Sequence, residues 1–386
     1  MEPSFSTQDI FNNKQSFRFT ALDIFRGITI CFMIVVNSPG AGAEAFTQLN
    51  HAAWHGFTLA DLVFPSFLFA VGNSLSFSER KYLNHPFRNV FLRILQRSFI
   101  IFLLGFLMYW FPFFRIDVAT GAISTFPIGE TRIMGVLQRI ALCYLLAAVL
   151  VYWVRSSKWL IVLSGVLLIG YWLVLLAFGD SDPYSVDGNA VLSLDLWVFG
   201  ASHMYVDGGV LFEPEGLLST FPALVNTLAG YLVGKWIQKR DPAAMQRLLW
   251  WGVACIAAAL LWNAAFPINK KLWTSTFVLL TVGLDMIILV TLVYFTRGEQ
   301  QPISWGRFFI IFGKNPLIVY YFSELVLIAM FRFPCRGVSL YEYIGAYGFQ
   351  RLIPGSGGSL LFALCYMMLC WGFAWYLDQK KIYIKA

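Results

Sequence analysis

The 386-residue sequence is poor in charge: Asp, Glu, Lys and Arg make up 13%, against roughly 25% in soluble domains. Hydrophobic residues reach 58% and mean hydropathy is +0.66. One soluble core cannot bury so much apolar surface, so the chain reads as a polytopic membrane protein. Histidine is scarcer still, with four in the chain. The six cysteines contain no CxxC and no metal-type spacing. Cys31, Cys143, Cys255, Cys365 and Cys370 lie within apolar runs and Cys335 in a loop, which excludes a disulfide framework. The N-terminus, MEPSFSTQDIFNNKQSFRFT, lacks an h-region, so no cleaved signal peptide is expected. Short repeats, low-complexity tracts and linkers to a second domain are also missing. The net charge of +7 raises nucleic acid as a partner, but the basic residues sit in short loops between apolar runs, where topology accounts for them.

What is there in abundance is long apolar runs. A spanning helix needs about 20 mostly apolar residues. About ten stretches qualify: 20–38, 59–78, 94–114, 133–154, 159–178, 216–236, 248–266, 274–296, 308–329 and 358–377. The predicted fold class is therefore all-α, with a polar segment over 1–18 and a single transmembrane domain over 19–386. With the N-terminus inside, one set of loops holds 16 Lys and Arg and the other 7. That excess predicts both termini in the cytoplasm. The longer outward loops are then 39–58, 115–132, 179–215 and 330–357, and the first has no Lys or Arg at all.

Ionisable residues within spans are functional candidates because they are costly there. Asp23 and Arg26 share a helix face and can pair. Arg139, with Gln138 beside it, and Asp285 lie inside separate spans. Either Arg139 and Asp285 bridge two helices, or Arg139 faces a polar cavity and holds an anionic cofactor. Lys314 and Asn315 interrupt the ninth span, and Pro316 favours a non-helical Asn315.

The densest polar stretch is Asn37 to Pro65. Asn37 ends the first helix, as a C-terminal cap or as an amide donor aimed at a developing oxyanion. His51 and His55, four apart in HAAWH, share a face if that segment is helical. HxxxH is a zinc spacing, but the Glu of HExxH and a third ligand are missing, so no metal is expected. An interfacial histidine bonded to backbone carbonyls is the plain alternative to a proton-transfer role, which suits imidazole's pKa of ~6.5. Thr58 and Asp61 read as N-cap and N3 of a capping box. Asp61 can also orient a histidine, as in a catalytic triad without the serine.

These residues carry a resemblance. ALDIFRGITICFMIVVN, HAAWHG and TLADLVFPSFLFAVG, followed by TRIMGVLQRIALCYL, EPEGLLST, PINKKLWTSTFVLL and FGKNPLIVYY, resemble in order the transmembrane domain of the heparan-alpha-glucosaminide N-acetyltransferase family and its bacterial acyltransferase relatives. The resemblance implies an inner-membrane enzyme that takes acetyl from cytoplasmic acetyl-CoA and delivers it to a glucosamine-type amine on the periplasmic side. It implies His51 and Asn37 as catalytic residues and Asp61 as the family aspartate. Where this sequence has His55 the human-type enzyme has asparagine, which argues against an obligatory two-histidine metal site. The family also suggests a homodimer.

On this reading His51 is the general base, Asn37 the oxyanion donor and Asp61 the group that orients His51; an acetyl-histidine relay is the other form the same residues allow. Arg139, Gln138 and Lys314 are candidates for acetyl-CoA, with the cluster Arg88, Arg93 and Arg97 behind them. His55, Trp54, Glu215, Asn269 and Lys270 are candidates for the acceptor sugar or glycan. The competing class is a sugar or glycan transporter that uses the histidines in proton coupling, but no second copy of HAAWHG marks a related half.

Overall fold

The computed structural model describes residues 20–83, 85–116, 122–207, 209–239, 241–296 and 304–384; the predicted segment 1–18 lies outside them. Twelve longer helices follow one another along these residues: α1 (Thr20–Asn37), α2 (Leu59–Leu83), α3 (Phe87–Trp110), α4 (Val136–Trp153), α5 (Ser157–Phe178), α6 (Ala190–Phe199), α7 (Thr220–Ile237), α8 (Pro242–Trp262), α9 (Ser275–Phe295), α10 (Ser304–Lys314), α11 (Pro316–Arg332) and α12 (Ser356–Gln379). Three two-stranded hairpins, the first pairing 114–116 with 123–125, decorate the loops.

Eight helices among the described residues are long and apolar enough to cross a membrane. A ninth crossing is broken: α10 and α11 meet at Asn315 with a bend of 82°. The interruption expected at Asn315 is therefore present, because Pro316 opens a new helix and keeps Asn315 out of the helical region. The sixth predicted stretch, 216–236, forms α7, but α7 does not reach the apolarity of a lipid-crossing segment by composition. Its polar residues Thr220, Asn226 and Thr227 are buried against protein, so α7 does not depend on a lipid-compatible surface.

Burial separates inner from outer helices. The most apolar stretch of α2 is 78% buried, whereas that of α5 is 22% buried. The inner helices approach through reciprocal glycines. A Cβ on Gly72 of α2 would lie 1.7 Å from the Thr227 carbonyl oxygen, and one on Gly230 of α7 would lie 2.0 Å from that of Phe69. Gly27 of α1 and Gly313 of α10 repeat the device, each 1.9 Å from the carbonyl oxygen of Phe309 or Asp23. Such contacts let helix backbones touch where the hydrophobic effect offers no drive to associate.

The loops interlock at one end of the bundle. Gly40 N donates to Ser359 O at 3.1 Å, Gly56 N to Ile268 O at 2.8 Å, and Ile133 N to His203 O at 3.1 Å. At the other end Lys314 Nζ meets Asp378 Oδ1 at 2.5 Å. There Asn315 clasps the last described residues, donating to Ile382 O at 2.9 Å and accepting from Ile384 N at 3.0 Å.

Candidate active site

The site grows from the first turn of α2. Asp61 is fully buried there. Its Oδ2 accepts from Ala52 N at 3.2 Å and Thr58 N at 3.0 Å. The predicted capping box is half formed. The carboxylate reaches back to the Thr58 amide, but the Thr58 hydroxyl donates to Asn50 O at 2.7 Å. HAAWH is not helical, and Gly56 turns the chain at φ 112°. The reason is local: Asp61 gathers amides from both ends of the stretch, which pulls it into a loop around one carboxylate.

The other oxygen of Asp61 lies 2.9 Å from His51 Nδ1. A buried carboxylate at that distance selects the tautomer with the proton on Nδ1 and leaves the Nε2 lone pair as the basic site. Lys270 completes the group, with Nζ 3.0 Å from His51 Nε2, 2.9 Å from Nδ1 and 3.8 Å from Asp61 Oδ1. The His51 ring keeps 40% of its surface open. Partial desolvation and then the Lys270 charge push its pKa below 6.5, against the pull of Asp61, so the imidazole is neutral at neutral pH. Desolvation also brings Lys270 down to about 8, although Asp61 and Glu215 favour its charged form.

Lys270 owes its position to two neighbours. Asn269 is buried, and its side-chain oxygen accepts from Leu272 N at 2.8 Å, folding the loop after α8. Trp273, fully buried, drives that loop into the bundle and donates to Asn226 Oδ1 of α7 at 3.1 Å. His55 points elsewhere than His51: its Nδ1 is 3.4 Å from Asn269 Nδ2. Trp54 donates to Tyr184 O at 2.8 Å and packs edge-on against Phe212, tying this loop to 179–219.

A second charged group stands beside the first. Arg132 bonds both oxygens of Glu213, at 2.9 and 2.5 Å, and reaches Glu215 Oε2 at 2.7 Å. Burial raises the Glu215 pKa, but Arg132, Arg139 and Lys270 together outweigh it and hold this carboxyl below its ordinary value. Arg139 is buried behind this loop. Its guanidinium stacks over Trp273, 4.8 Å from the ring centre, and donates to Gly216 O at 3.0 Å and to Ser219 Oγ. Asp285 instead accepts from Ser66 Oγ at 2.5 Å. The two do not bridge: Arg139 is in the first turn of α4 at the loop end, while Asp285 is ten residues into α9, roughly 15 Å along it. Gln138 packs against Gly105 in the same buried layer. Lys314, at the opposite end of the bundle, is paired with Asp378.

Asn37 Nδ2 donates to Glu324 Oε1 of α11 at 3.0 Å. Tyr109 and Tyr320 lie within electrostatic range of both Glu324 and Glu215, which sets these polar groups in one neighbourhood. Sequence reasoning missed Glu324, although an acid within the apolar run 308–329 was signal enough. It also counted Arg132 as a loop charge, because only the fold brings it to Glu213.

Residues 18–261 match the family described as "Heparan-alpha-glucosaminide N-acetyltransferase, catalytic". The chain is similar to the heparan-alpha-glucosaminide N-acetyltransferases of Mus musculus, at 26% identity over 80% of this chain and 54% of that protein, and of Homo sapiens, at 27% over 80% and 53%. It thus spans about half the length of the curated relatives it matches.

Proposed function

The chain belongs to the heparan-alpha-glucosaminide N-acetyltransferase catalytic family, and from that premise we propose that it transfers an acetyl group from acetyl-CoA to the amino group of a glucosamine-type sugar. The supporting observation is the His51–Asp61 pair, in which a buried carboxylate 2.9 Å from Nδ1 presents Nε2 as a base. The acceptor amine forms the new C–N bond as the C–S bond of the thioester breaks. Nε2 takes the amine's proton and returns it to the departing thiolate, so amide and thiol leave with atoms and charge balanced. Asn37 keeps one N–H beyond its bond to Glu324, and we assign that N–H to the developing oxyanion. Lys270 keeps His51 neutral and balances the charge of Asp61.

In this proposal the loop end faces the periplasm, the orientation that the Lys and Arg asymmetry favours, and the donor enters from the cytoplasm. Lys314, at that inner end, and Gln138 and Arg139, buried toward the loop end, remain our candidates for acetyl-CoA. His55, Trp54, Glu215 and Asn269 shape the acceptor side. The test incubates purified protein with labelled acetyl-CoA and glucosamine. Label on the amino nitrogen supports the reading; no transfer to any amino sugar, with sugar flux into vesicles instead, contradicts it.

A further inference from the structure

Glu324 is a carboxylate in the middle of an apolar helix, half-buried, and among the described residues no Lys, Arg or His pairs with it. It accepts a hydrogen bond from Asn37, the last residue of α1. That is the unfavourable end for an anion, because the final carbonyls of a helix carry a partial negative charge. The carboxylate and the helix end therefore add to one negative potential. Asn37 is exposed and Glu324 is partly open, so the spot adjoins open space rather than sealed packing. The other carboxylates of the site already have cations: Asp61 has Lys270, and Glu213 and Glu215 share Arg132. An anion left in excess in such surroundings is costly unless a cation arrives to meet it.

We propose that Glu324, braced by Asn37 at the end of α1, is the subsite that receives the acceptor's amino group as a cation. Oε1 is held by the Asn37 amide, and Oε2 is the oxygen that takes an ammonium hydrogen. This inference rests on the acetyltransferase reading and sharpens it: the acceptor binds as a protonated amine and gives its extra proton to Glu324, before the neutral amine attacks and its second proton goes through His51 to the thiolate. Asn37 then serves two partners, bracing Glu324 with one N–H and facing the acyl carbonyl with the other.

The test measures equilibrium binding of glucosamine and of glucose to the whole protein in detergent, without acetyl-CoA, at a pH where the amine is protonated. Wild type is expected to prefer glucosamine by about tenfold or more, the weight of one charge-assisted hydrogen bond. Glu324→Gln, which is isosteric, loses the preference, and Glu324→Asp keeps part of it. Equal binding of the two sugars by wild type overturns the subsite, as does an unchanged preference in Glu324→Gln. Because no acyl donor is present, the answer stands whether or not acetyl transfer occurs. Conversely, transfer by wild type with an unaltered KM for glucosamine in Glu324→Gln removes the subsite and leaves acyl transfer intact.

Discussion

Lys270 Nζ lies 2.9 and 3.0 Å from the two ring nitrogens of His51, so its charge sits against the imidazole rather than along the Nε2 lone pair. The contact leaves the Nε2 lone pair to the acceptor amine. It also couples two titrations. Desolvation first, and the Lys270 charge second, lower the His51 pKa. His51 acts as a base when neutral, so the acid limb of kcat/KM follows its pKa. Lys270→Met removes one depressing charge and is expected to move that limb to higher pH. A pH–rate series on both proteins checks this; an unmoved acid limb contradicts the coupling.

Asp61→Asn is expected to cost both rate and stability. One oxygen orients His51, and the other satisfies two backbone amides, of Ala52 and Thr58. An amide in its place can present the wrong tautomer to the imidazole, an effect of up to about 10⁴ in kcat in the serine-protease template. Its NH2 group would also face those amides. Kinetics together with thermal melting in detergent separate the two losses, and a variant with native rate would show that Asp61 is a helix cap alone.

Arg132→Ala should destabilise the protein by about 3–5 kcal/mol, since it leaves Glu213 buried without its cation. Arg132→Lys recovers only part, because an ammonium cannot reproduce the two-oxygen grip on Glu213. Denaturation of the three proteins under one condition is the check.

Gly72→Ala probes the inner packing. The added methyl would meet the Thr227 carbonyl oxygen at 1.7 Å, so α2 and α7 must separate. A loss of about 1–3 kcal/mol or more is expected from such overpacking, whereas Gly165→Ala, with nothing within 4 Å of its Cβ, should be neutral or better.

Much of the architecture was legible because lipid imposes it: apolar runs of spanning length become helices, and Pro316 marks the break at Asn315. The pairing of Asp61 with His51 was legible too, since only a short loop separates the helix-start carboxylate from a histidine ten residues before it. Three things were not. HAAWH looked able to form a helix, but its amides answer to Asp61 and Ile268 rather than to one another. The surroundings of Arg139 were hidden as well, because its cation–π contact with Trp273 and its bond to Gly216 depend on loops distant in sequence. The pairing of Asn37 with Glu324 joins residues 287 apart, and no local pattern foretells such a contact.

The most direct measurement is the rate of acetyl transfer from labelled acetyl-CoA to glucosamine by purified wild type and by His51→Ala. The account predicts clear transfer by wild type and a fall of about 10²–10⁴ in the variant, the usual weight of a positioned general base. Transfer at the wild-type rate by His51→Ala would contradict it.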